Sequence, residues 1–148
     1  MARLRAKLGV LVATGALLLL GRAGNAEEET TSLNVIEFKT QTNSAKGVVR
    51  CALFRREGWL KVPVRSATAR ITGRDALCLF QQVPKGVYGI SAFHDENSNM
   101  KLDTNFLGMP TEDYCASRNA RGTFGPPSFD DAKFKYDGGT RRVEARMK

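Results

Sequence analysis

A chain of 148 residues with 23 Lys and Arg against 15 Asp and Glu has a formal charge of +8, and its 42% hydrophobic content belongs to a folded rather than a disordered protein. The length suits one domain with a core of its own and is short for two. Basicity alone does not make a nucleic-acid binder: there is neither a basic helix nor an aromatic stacking motif, so nucleic acid is set aside as a partner.

Residues 1–26 read as a signal peptide. Arg3, Arg5 and Lys7 form a positive start, Leu8 to Leu20 an uncharged apolar stretch, and Gly24-Asn25-Ala26 a small-residue cleavage site. Export with cleavage near Ala26 is therefore expected, to the periplasm or beyond. The apolar stretch is short for a membrane span and nothing later is longer, so no transmembrane segment is expected. No Cys near the cut invites a lipid anchor, and no Arg pair signals the twin-arginine route. The signal takes four basic residues and no acidic one, which leaves residues 27–148 with an excess of four positive charges, compatible with an anionic envelope surface.

An acidic leader, 27–32, precedes a domain over 33–148. Asn34, Ile36 and Phe38 alternate with Val35 and Glu37; Val48 to Phe54 is an apolar run; Ala67 to Ile71 and Ala76 to Phe80 flank the turn Thr72-Gly73-Arg74-Asp75. Pro84-Lys85-Gly86 turns into Val87 to Phe93, and Ala132 to Tyr136 and Arg141 to Met147 flank Asp137-Gly138-Gly139, a hairpin composition. Six or seven short strands without a helical period predict an all-β domain, a single immunoglobulin-like or prealbumin-like β-sandwich.

Between the strands, residues 95–131 make a connection far longer than usual, rich in Gly and Pro for shape and in aromatic anchors, and so expected to be an ordered functional loop. It begins with Asp95, Asn97, Asn99, Lys101 and Asp103. Side-chain oxygens at positions 1, 3 and 5, a backbone carbonyl at 7 and a further oxygen at 9 form the spacing of a calcium loop, with Lys101 contributing its carbonyl. An EF-hand would place Gly at position 6 and Glu at 12, where this chain has Met100 and Phe106; Glu112 and Asp113 are the nearest carboxylates to complete the shell. The same Asp and Asn spacing also serves a metal-free turn in which the side chains bind their own backbone.

Of three cysteines, Cys51 and Cys78 lie inside apolar strands where a disulfide is feasible, and Cys115 lies in a polar loop as the odd one. His94, the only histidine, has Asp95, Glu112 and Ser117 as partners for a small secreted hydrolase, but no nucleophile-elbow or zinc motif surrounds it, so it reads rather as a ligand of loop backbone and the chain as non-catalytic. Trp59, after the turn Arg55-Arg56-Glu57-Gly58, reads either as a cap on the core or as an exposed lip for a glycan or protein. Arg141 and Arg142, with Lys133 and Lys135, read either as a solvated strand face or as a basic stripe for an anionic polymer.

The segments Phe93 to Asn97, Lys101 to Asn105, Leu107 to Tyr114 and Phe124 to Ala132 resemble the bacterial domain-of-unknown-function family 2141, and the Gly86-Val87-Tyr88 entry and the Gly47 to Phe54 strand resemble that family's earlier strands. The resemblance implies an exported single-domain β-sandwich and no established activity. The chain departs from the family at Met100 and at Cys115-Ala116, where Gly is usual. The Phe80 to Phe93 segment also resembles prealbumin-like modules of bacterial surface proteins. The expected function is a binding or structural module of the cell envelope, directed at an envelope polymer or protein.

Overall fold

The computed structural model describes residues 33–148, so the expected signal peptide and the whole of the acidic leader lie outside the described residues. The domain is all-β, with strands β1 (Val35–Gln41), β2 (Val48–Phe54), β3 (Arg65–Thr72), β4 (Asp75–Phe80), β5 (Gly86–Asp95), β6 (Tyr114–Ala116), β7 (Phe134–Tyr136) and β8 (Thr140–Glu144). They pair in the order β6-β5-β2-β3-β4-β1-β8, with β7 sharing the β6 edge of β5. The sheet curls until its edges meet. Ala145 N–H donates to Lys39 O at 3.2 Å, extending the β1–β8 ladder, and Tyr114 and Lys148 exchange backbone bonds of 3.2 and 3.3 Å.

Alternation makes the core. Ile36 and Phe38 of β1, Val49, Cys51 and Leu53 of β2, Cys78 and Phe80 of β4, and Tyr88, Ile90 and Ala92 of β5 all point inward and are buried. Cys51 and Cys78 form a disulfide that ties β2 to β4, as expected, and Cys115 is free and buried.

Three expectations need correction. Ala132 closes a short helix, α1 (Phe129–Ala132), instead of opening a strand, because Ser128 caps it by accepting from Asp131 N–H. The segment expected as a hairpin does not pair with itself. Asp137-Gly138-Gly139 instead carries the chain across, from β7 against β5 to β8 lying parallel to β1. Within the long connection, Tyr114–Ala116 forms β6, a strand too short for alternation to reveal.

Candidate functional site

The cation-type loop begins where β5 ends. On β5, His94 faces the core and Asp95 the other face, the alternation a strand imposes. Both are buried. Arg50 on β2 occupies the outer face diagonal to Asp95, since Val48 stands opposite Asp95 and Arg50 opposite Phe93. Its Nε donates to Asp95 Oδ2 at 2.5 Å, while Asn99 N–H donates to Oδ1 and Met100 N–H to Oδ2, each at 3.0 Å. Burial would push the Asp95 carboxyl up, but the bonds from Arg50, Met100 and Asn99 and the charge of Arg50 together hold it below the usual carboxylate range.

The next residues repeat the motif. Asn97 Oδ1 accepts from Asn99 N–H at 3.0 Å and Asn99 Oδ1 from Lys101 N–H at 2.9 Å, so successive short side chains wind the loop around their own backbone. Met100, at the position where Gly would be expected, has φ 71°, and Ser98 has φ 58°. The backbone thus takes the left-handed turn despite the strain of a side chain. Asp103 accepts from Asn97 Nδ2 at 2.6 Å and Asn99 Nδ2 at 2.8 Å. Glu112 joins the loop, its two oxygens accepting from Glu96 N–H at 3.1 Å and Asp103 N–H at 3.0 Å; Asp113 turns away to Asn43 Nδ2 at 2.6 Å.

The five sequence-identified residues, Asp95, Asn97, Asn99, Lys101 and Asp103, therefore belong to one hydrogen-bonded loop. No group of three or more His, Cys, Asp or Glu side chains suited to one ion occurs among the described residues. The oxygens of the loop are occupied by its own donors: both oxygens of Asp95, Asp103 and Glu112 and the amide oxygens of Asn97 and Asn99 each accept a hydrogen bond. Arg50 is the residue that sequence reasoning missed, and its signal was a lone charge inside the apolar run Val48 to Phe54.

Of the residues named for a hydrolase, Asp95 faces away from His94 and Ser117 stands apart from it. His94 Nε2 bonds Lys46 O at 2.7 Å, and Nδ1 lies 3.7 Å from Glu96 Oε1. Ser117 is fully buried, its Oγ accepting from Ile90 N–H at 2.9 Å and donating to Ala132 O at 2.6 Å. From Ile90 to His94 is about 13 Å along a strand, so Ser117 pins β5 to α1 and does not meet the imidazole.

Trp59 caps rather than protrudes. Its indole N–H donates to Pro127 O at 2.8 Å, and its ring meets Phe54 and Phe129 edge-on at 5.4 and 5.6 Å. The basic stripe is largely neutralised: Arg142 pairs with Glu37, Lys133 with Asp130 and Lys135 with Asp137, and Arg141 lies over the Phe134 ring.

Among the described residues no helix is long and apolar enough to cross a membrane. Neither the curated proteins nor the solved structures yield a match. A family model described as "Uncharacterized protein conserved in bacteria (DUF2141)" matches residues 39–144, a span that runs from within β1 to the end of β8 and takes in the whole loop. The chain belongs to the DUF2141 family.

Proposed function

We propose that this protein is an exported, non-catalytic binding or structural module of the bacterial cell envelope whose loop after β5 responds to calcium. The observation that carries the reading is the loop itself. Asp95 at position 1 accepts from the amides of positions 5 and 6, Met100 takes the left-handed turn at position 6, and Asn97, Asn99 and Asp103 follow at alternate positions. Export is supported by the apolar stretch near the start of the sequence and by the Cys51–Cys78 disulfide, which suits an oxidising compartment. We also read the curled sheet as a prealbumin-like or immunoglobulin-like sandwich, a reading supported by the disulfide joining β2 to β4 across the core.

The donor set fits a weak hard-cation site. Asp95 already has Arg50 as counter-charge, so a calcium ion would draw mainly on Asp103, the amide oxygens of Asn97 and Asn99, and the Lys101 carbonyl, displacing the amide donors from Asp103. Melting the protein in calcium and in chelator tests this. With calcium at a hundred times its dissociation constant, the gain is about 2.7 kcal/mol; magnesium gives less, and Asp103→Ala abolishes it. Identical melts in calcium and chelator would refute calcium binding and leave a loop held by its own hydrogen bonds.

A further inference from the structure

Beyond the calcium-type turn the loop forms a second, smaller structure. Thr104 and Pro110 make an antiparallel bridge, Asn105 N–H donates to Met109 O and Gly108 N–H to Asn105 O, both at 2.9 Å. Asn105 Oδ1 accepts from the amides of Leu107 and Met109, each at 3.0 Å. Of the amides from Asn105 to Met109, only that of Phe106 lacks a partner within the turn.

This well-bonded tip displays apolar side chains to solvent. Phe106 is 95% exposed, Leu107 71% and Met109 61%, with Met100 at 71% on the adjoining turn. No charged residue lies between Asp103 and Glu112. The carboxylates at the base are turned inward: Asp103 to the Asn97 and Asn99 amides, Glu112 to two backbone amides, Asp113 to Asn43. The exposed charges at this end of the sheet are the cations Lys46, Arg70, Arg74 and Lys101, none of which is in an ion pair among the described residues, and the carboxylates Glu96 and Asp75, so the cations are in excess.

We propose that the Asn105–Met109 turn is a membrane-seating tip that inserts Phe106 and Leu107 into the surface layer of a phospholipid bilayer. Entry into an apolar medium is costly for unpaired backbone groups, and this turn has already bonded four of its five amides, leaving the Phe106 amide and the Phe106, Leu107 and Gly108 carbonyls to the hydrated headgroup layer. A protein partner needs roughly 800 Å² on each side for a stable contact, more than a convex tip of two or three side chains offers. A bilayer sets no such threshold, since each apolar side chain partitions by itself. An excess of exposed, unpaired cations over exposed carboxylates at this end suits the phosphate layer of the lipid. The other exposed apolar residues lack this setting: Leu77 and Leu79 lie on β4 opposite Lys39 and Glu37, and Phe124 stands on a different segment.

The inference goes beyond the envelope reading and does not need calcium. Sedimentation of residues 27–148, which include the entire described core, with phosphatidylcholine vesicles in chelator tests it directly. The expected result is binding that changes little between 0.1 and 0.5 M salt, rises modestly when phosphatidylglycerol is added, and falls on the order of 30- to 100-fold in Phe106→Ser/Leu107→Ser. The melting temperature should stay unchanged in that variant, because both side chains are exposed, and Phe124→Ser should bind like the parent. Failure to bind either vesicle would overturn the proposal, as would a double variant that sediments like the parent. A dimer in solution that the double variant converts to monomer would assign the tip to a second copy of the chain instead.

Discussion

Replacing Asp95 by Ala removes the acceptor on which the whole loop is wound. Three donors converge on that carboxylate, from Arg50 at 2.5 Å and from the Asn99 and Met100 amides at 3.0 Å. A hydrogen bond to a charged group contributes about 1.5–3 kcal/mol. Asn99 N–H keeps Asn97 Oδ1 as a second acceptor and the Arg50 side chain is 25% exposed, so both recover part of their loss, whereas Met100 N–H has no second acceptor in the protein. Burying the carboxylate also carries a desolvation cost that the variant avoids. The net loss is expected to be about 3 kcal/mol, against about 2 kcal/mol for Arg50→Ala, with a coupling of about 1.5 kcal/mol in the double-mutant cycle. Urea unfolding at pH 7 measures all three. The sign with pH follows from the depressed folded-state carboxyl: its contribution is complete above the unfolded value near 4 and disappears as pH falls through the lower folded value, so parent and variant should converge in acid. A cost for Asp95→Ala below about 1 kcal/mol, or a gap independent of pH down to 2, would refute the account of how the loop is held.

Three further outcomes are expected. Replacing both Cys51 and Cys78 by Ala opens a cross-link spanning 27 residues and should cost roughly 3.5 kcal/mol on the chain-entropy account, with reductant destabilising the parent and not the variant in the same urea assay. Cys115, buried with its thiol pushed up to about 11 by burial, should resist alkylation in the native state at pH 8 and react once urea unfolds the chain; rapid native labelling would contradict the burial. Trp59→Ala should cost about 3–5 kcal/mol by emptying the space between Phe54 and Phe129 and orphaning Pro127 O, and an unchanged melting temperature would show that the cap is dispensable.

What could be read from the sequence followed from local rules. Alternation located β1, and apolar runs bounded by turn residues located β2 to β5, with Val48 to Phe54 matching β2 to the residue. The disulfide was legible because both partners sit at inward positions. The Asp and Asn spacing gave the loop its position and internal bonding, since each side chain reaches only two or three residues along. What escaped depended on distant pairing. Nothing local distinguishes β8 lying parallel to β1 from β8 folding back on β7, and Arg50 finds Asp95 only through the β2–β5 register.

The parallel pairing of β1 with β8 also has a kinetic side. Glu37 meets Arg142 across 105 positions, and β1 gains that neighbour only after everything between has been made and the intervening strands have paired. Contacts so distant in sequence slow folding, because the entropy of closing large loops comes before any reward from packing. A nascent chain of this design should therefore stay open throughout its synthesis and fold late and as a whole. Late folding of this kind is compatible with the export proposed above, in which Cys51 and Cys78 would meet after translocation.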